Sequence, residues 1–339
     1  MDRRDIMVIG ASAGGVEALQ VLAESLPADF PGSLFVVIHV SPFSPHMLPQ
    51  ILSRRGPLLA VQTQDRMAIQ HGRIYIAPPD HHLILSSTHV HVVRGPRENL
   101  VRPAVDPLFR SAARVFGRRV VGVVLTGNLD DGSAGLVAIK ERGGLAVVQD
   151  PDEARYPSMP LSALRYVQAD YRVRLAELGP LLIRLSREEL GSLSAEAPVP
   201  AQLEAESTLM EPKSPNGVAI MERIGTLAPY SCPECYGPMW RMHGNGPPRF
   251  RCHVGHGFTA ESLQAGQVAS RETGLWQLLR TLEEQFALAR EISDQARKEN
   301  QARDAARWNL VISGIEDDIR VLQGMLVSEK PSVEASPPA

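Results

Sequence analysis

The chain has 339 residues, 44% of them hydrophobic and 22% charged, with a formal net charge of −3. This is globular composition, long enough for about two domains and one sizeable core, and the slight negative charge makes no case for nucleic acid, which needs a basic surface. No apolar run approaches the roughly 18 residues of a membrane span, so neither membrane insertion nor nucleic acid is expected, and a cytoplasmic location is.

In chain order, β-branched runs occur at IMVIG, SLFVVIHV, GRIYIAPP, HVHVV, VVGVVLTG and GLAVVQD, with helical periodicity between several of them, as in VEALQVLAESL, PLFRSAARVF and AGLVAIKERGG. Continuous apolar strands alternating with amphipathic helices predict a doubly wound α/β domain over residues 1–190, with a mainly parallel sheet. The site of such a domain belongs at the C-terminal ends of its strands. Residues 191–227, rich in Pro, Ser, Ala and Glu, lose all periodicity and read as a linker. A compact Cys/His module at 228–259 comes next. Two apolar stripes follow, one at Leu275, Leu279, Leu282 and Phe286, the other at Trp308, Ile312, Ile315, Ile319, Leu322 and Leu326. They predict a helical hairpin over 260–328, with 329–339 as a disordered tail.

The turn GASAGG that follows the first strand can be read in two ways. A dinucleotide fingerprint needs glycine where this chain has Ser12, and an acid near the end of the second strand, where this chain has His39. Both requirements fail. As a nucleophile mount, Gly10-Ala11-Ser12-Ala13-Gly14 fits Gly-x-Ser-x-Gly, a sharp strand-to-helix turn whose helix start offers amides to an oxyanion. A serine needs a base oriented by a third group, and His39 and Asp131 each follow another strand of the same domain. The order Ser, His, Asp differs from that of ordinary α/β-hydrolases. Against this stand ordinary structural roles, since a strand-end histidine is commonly solvated and an Asp before Gly is commonly a turn former.

The only three cysteines, Cys232, Cys235 and Cys252, cluster in one segment, which argues for a reduced metal site over a disulfide framework. With His256 they make a closed Cys₃His set suited to a structural zinc, His253 being the second choice for the fourth ligand. The competing readings are a metal-free turn or a redox Cys-x-x-C pair, the latter without the strand that such a pair follows.

VIGASAGGVEAL, VVIHVSP, GRIYIAPPDHHL, RPAVDPLFRSAA, GVVLTGNLDDGSAGL and VVQDPDEARYPSMPLSAL, in that order, resemble the catalytic domain of the CheB-type protein-glutamate methylesterases of chemotaxis. The resemblance runs from about Ile6 to Leu185. It implies hydrolysis of γ-glutamyl methyl esters on chemoreceptors, deamidation of certain glutamines, no catalytic cofactor, and a triad of Ser12, His39 and Asp131. The family motif selects Asp131 over its neighbour Asp130. Ala13 and Asn128-Leu129 depart from the family pattern, which usually has Thr at the first position and Met-Gly at the second. The first strand begins within a few residues of Met1, so no N-terminal receiver domain is expected, and control would come from the C-terminal region or a partner. A homodimer or a partner docking on the C-terminal module is the accompanying expectation. The rival reading is a signalling scaffold that keeps the esterase fold but acts by binding.

Overall fold

Five of the six apolar runs of the first 190 residues supply strands of one parallel sheet. In the computed structural model of the chain, the described residues are 3–191, 198–209 and 217–328. Two units divide at Leu263 and Gln264. The first opens with β1 (Ile6–Ala11), α1 (Gly15–Ser25), β2 (Ser33–Ile38), α2 (Leu48–Arg55), β3 (Leu59–Gln62), β4 (Met67–Ala68), β5 (Arg73–Ile76), β6 (His82–Leu85) and β7 (His89–Val93). It continues with α3 (Val105–Phe116), β8 (Val120–Val124), α4 (Ser133–Glu141), β9 (Leu145–Gln149), α5 (Ser158–Tyr166), β10 (Tyr171–Val173) and α6 (Leu175–Arg187).

Seven strands form the main sheet in the order β10-β9-β8-β1-β2-β5-β3, every neighbouring pair parallel. Strand residues alternate between two cores. Ile6, Val8, Phe35 and Val37 pack with Leu108, Phe109, Leu136 and Ile139 on one face. Met7, Ile9, Leu34 and Val36 pack with Leu19, Leu22, Leu181 and Leu182 on the other. Each such side chain contributes about 1.5–3 kcal/mol on burial, which is why these strands read as unbroken apolar runs. The chain leaves β1 toward β2 on one side and returns to β8 on the other. The resulting switch point lies between β1 and β8, at the C-terminal ends of the strands.

HVHVV departs from the parallel expectation. It forms β7, which pairs antiparallel with β4 and β6 in a separate three-stranded sheet. Only Val90 of β7 is fully buried, so this strand lacks the two covered faces of β1, β2 and β8.

The stretch 191–227, expected as a linker, carries α7 (Ala201–Leu209) and α8 (Gly217–Ile224), while 192–197 and 210–216 lie outside the described residues. The helices order because Leu203 joins the sheet's core and Met221 and Ile224 pack with Trp240 and Met242. Next comes an antiparallel four-stranded ribbon of β11 (Gly225–Ser231), β12 (Pro238–Met242), β13 (Arg249–Cys252) and β14 (Gly257–Thr259), in that spatial order. Its core is small, built from Met239, Phe250, Phe258 and Leu263 around Cys232 and Cys252. The ribbon belongs to the same unit as the parallel sheet.

The second unit holds most of α9 (Ala260–Lys298) and all of α10 (Ala302–Ser328), joined through residues 299–301. Leu279, Ala289, Ala296, Ala305 and Leu322 are buried, and the Ser293 hydroxyl donates to Asn309 Oδ1 at 3.0 Å. The rest of both predicted stripes is half-buried. Among the described residues no helix is long and apolar enough to cross a membrane. The tail 329–339, expected to be disordered, lies outside the described residues.

Candidate active site

Ser12 stands one residue beyond β1, in a turn held from two directions. Its amide donates to the Thr126 carbonyl at 3.0 Å, just past β8, and its own carbonyl accepts from the Gly15 amide at 2.9 Å. Two glycines make the turn possible. Gly14 has φ +74°, and a Cβ there would meet the Thr126 side chain and the Tyr156 ring at 3.3 Å. A Cβ on Gly127 would collide with Met159 Sδ and lie 2.7 Å from Ser12 Cβ. Of the residues that depart from the family pattern, Ala13 offers its carbonyl to Thr126 Oγ1 at 3.1 Å. Asn128 is half-buried, and Leu129 sits at φ +61°.

His39 extends the ladder of β2 by one step, its amide donating to the Ala11 carbonyl at 3.1 Å. Its ring is 14% exposed, and Nε2 donates to Asp131 Oδ2 at 2.8 Å. Asp131 is buried and well supplied with donors: the Val105 amide at 2.6 Å, the Asp106 amide at 3.2 Å and Asn99 Nδ2 at 2.9 Å. The two amides open α3, where the helix dipole favours an anion. Burial acts to raise the Asp131 carboxyl, and the hydrogen bond and charge of His39, aided by Val105 and Asn99, overcome it and hold the group below the ordinary range. An ionised Asp131 fixes the proton on His39 Nε2 and leaves Nδ1 as the basic nitrogen.

Asp130 faces elsewhere. Its Oδ1 accepts from Thr259 Oγ1 at 2.8 Å, and burial pushes its carboxyl up to about 7. Two residues of the site went unnoticed in the sequence. Asp106 accepts from the Gly132 amide at 3.1 Å and the Gly135 amide at 2.6 Å, and burial, with Asp131 adding to it, raises its carboxyl to about 7. Asn99 bridges Asp106 Oδ2 and Asp131 Oδ1 at 3.1 and 2.9 Å. An Asp in the first turn of a helix was the available signal for Asp106; Asn99, in an irregular loop, offered none.

Some distance along the chain, the ligand atoms of Cys232, Cys235, Cys252 and His256 all lie within 4.8 Å of one another. Cys235 and Cys252 sulfurs are 3.7 Å apart, and His256 Nδ1 is 3.8 and 3.6 Å from Cys232 and Cys252 Sγ. A tetrahedral zinc with bonds of about 2.3 Å to sulfur needs S–S edges near ~3.8 Å, so the four residues fit that ion. His253 is outside the group, its ring edge-on to Trp240 at 6.4 Å.

The family described as CheB methylesterase matches residues 7–182. A Leptospira interrogans protein provisionally named protein-glutamate methylesterase/protein-glutamine glutaminase is 36% identical over 55% of this chain and 97% of its own length. Proteins with that name from Anaeromyxobacter dehalogenans and Methanosarcina mazei are 40% and 33% identical, each over 54% of this chain. The chain spans only about half of their length, 51% and 52%. The crystal structure of the Thermotoga maritima CheB methylesterase catalytic domain superposes with a TM-score of 0.52 at 31% identity, over 53% of this chain and 98% of that one. With a match over just over half of its 339 residues and a parallel sheet that positions serine, histidine and aspartate at adjacent strand ends, the chain belongs to the CheB methylesterase family of hydrolases.

Proposed function

We propose that the chain is a serine hydrolase that demethylates γ-glutamyl methyl esters on chemoreceptor-type signalling proteins and deamidates glutamines in the same site. The observation that carries this reading is the buried His39–Asp131 pair, anchored on the start of α3 beside the Ser12 turn. Ser12 Oγ attacks the ester carbonyl while His39 Nδ1 takes its proton. The oxyanion falls to the amides that lead into α1, where the helix dipole favours negative charge. His39 then returns the proton to the departing methoxide, which leaves as methanol, and the acyl group stays on Ser12. Water attacks that ester with His39 again as base, releasing glutamate and restoring the serine. For a glutamine the leaving group is ammonia.

We assign Cys232, Cys235, Cys252 and His256 to a structural zinc, whose binding would supply folding energy to a ribbon with a small core of its own. No step of the chemistry passes through it. The apolar side chains left exposed on α9 and α10, among them Trp276, Leu310 and Val327, support self-association or partner docking there. A binding-only scaffold is the weaker reading, since none of the three triad residues is replaced. Labelling with a serine-directed phosphonate tests the assignment. We expect one label on Ser12 in the intact protein and none in Ser12→Ala, and an unlabelled wild type would speak for the scaffold.

A further inference from the structure

The ribbon does more than follow the parallel sheet in sequence: its last strand reaches the groups around Asp131. The Asn99 amide donates to the Gly257 carbonyl at 2.8 Å, and the Gly257 amide to the Arg97 carbonyl at 3.2 Å, so the loop before α3 pairs with β14 like a strand. The Asn99 side chain is buried with all four of its hydrogen-bonding positions used. Nδ2 gives one proton to Asp131 Oδ1 at 2.9 Å and one to Asp106 Oδ2 at 3.1 Å. Oδ1 accepts from the Thr259 amide and the Ser262 hydroxyl, both at 3.0 Å. The ionised Asp131, which can only accept, on one side and the Thr259 amide, which can only donate, on the other leave one orientation of the Asn99 amide that satisfies both. The two donors both come from the ribbon and the first turn of α9 that follows it.

The contact is bolted in place by buried charge. Glu98, next to Asn99, accepts from Arg110 of α3 at 2.6 and 2.7 Å and from Arg251 of β13 at 2.7 Å. Glu206 of α7 accepts from Arg249 at 2.7 Å and lies 3.5 and 3.7 Å from Arg110 and Arg251. The side chains of Glu98, Arg110, Arg251 and Glu206 are no more than 5% exposed. Removing one partner from such a network is strongly destabilising, because it strands a charge away from water. The clamp and the cysteine cluster also share one hairpin: the Cys252 amide donates to the His256 carbonyl at 3.0 Å, and Gly257 and Thr259 follow directly.

We propose that the ribbon and the first turn of α9 are working parts of the active site: through Thr259 and Ser262 they set the orientation of the Asn99 amide, and Asn99 is thereby a positioning residue that holds Asp131 in register with His39. This rests on the triad reading above for its catalytic consequence, and on the hydrogen bonds alone for its structural one.

The test is a double-mutant cycle on the full chain, using Ser262→Ala and Asn99→Gly. Glycine tolerates the φ of +51° at position 99, so the second variant removes the amide without backbone strain. Two quantities are read: kcat for methanol release per phosphonate-labelled serine, and the proton NMR resonance of the His39 Nε2–H that bonds Asp131. We expect Ser262→Ala alone to lower kcat about tenfold with KM little changed, and to move the His39 resonance. In the Asn99→Gly background the same substitution should add nothing, because the relay is already cut. Equal losses in both backgrounds, or a Ser262→Ala protein that only melts earlier while kcat and the resonance stay at wild-type values, would overturn the proposal. If Ser262→Ala does not fold, Asn99→Gly decides alone: unchanged kcat and resonance overturn it. A wild type that releases no methanol removes the esterase reading instead, and the resonance then decides the clamp without turnover.

Discussion

His39 presents Nε2 to Asp131 Oδ2 at 2.8 Å, while the adjacent Asp130 is turned toward Thr259. Two consecutive acids are thus separated by what they touch, one by the imidazole and the other by the ribbon. Asp131→Asn keeps the shape but loses the anion that fixes the His39 tautomer, and should lower kcat by about 10³–10⁴-fold. Asp130→Asn should cost less than about tenfold. Steady-state methanol release by the two variants separates the roles, and the reverse ranking would reassign the triad.

The raised carboxyl of Asp130 also has a signature in stability. Burial lifts it to about 7 in the folded chain, against 3.8 as the ordinary value. Between those values the folded state keeps a proton that the unfolded state has lost, so stability falls as pH rises through the window and the penalty is complete above 7. Asparagine cannot ionise. Asp130→Asn should therefore gain stability relative to wild type on going from pH 5 to pH 8, by up to a few kcal/mol, since a tenfold difference in proton affinity is worth about 1.4 kcal/mol. Asp106 titrates in the same window and its charge acts on Asp130, so the difference between the two proteins reports the linked pair. Urea unfolding at the two pH values checks this, and an equal difference at both would contradict it.

Gly127 packs its bare Cα against the serine turn. Gly127→Ala would drive a methyl into Met159 and to 2.7 Å from Ser12 Cβ, so the turn must shift. We expect a folded protein whose kcat falls about 10²-fold, the scale of a small misplacement of a nucleophile. Circular dichroism beside methanol release would show whether the loss is local.

The strands and the turn that carries Ser12 were legible because their causes are local. Val and Ile runs report burial on two faces, and GASAGG reports a turn that needs small residues. The linker expectation over 191–227 met α7 and α8 because their order comes from distant partners: Leu203 enters the sheet's core and Glu206 meets Arg249 and Arg110. No window of sequence contains both ends of those contacts. Asn99 was missed for the same reason, its partners Asp131, Thr259 and Ser262 standing 32, 160 and 163 residues away. The Cys/His set was readable from spacing, and the fold brings His256, rather than His253, to the three sulfurs.

All three cysteines of the chain belong to that set, so a thiol count reports on it alone. We expect about one zinc per chain by elemental analysis, with thiols that react only after a chelator is added. Chelation should also lower kcat, since Thr259 sits on the hairpin that bears Cys252 and His256. Freely reactive thiols in the untreated protein would count against the metal assignment.

The most direct test of the central claim is release of methanol from methyl-esterified chemoreceptor by the purified chain, measured beside Ser12→Ala. We expect steady release by the wild type and none above background by the variant. Equal release by both would remove Ser12 as the nucleophile, and release by neither would contradict the esterase function of the isolated chain.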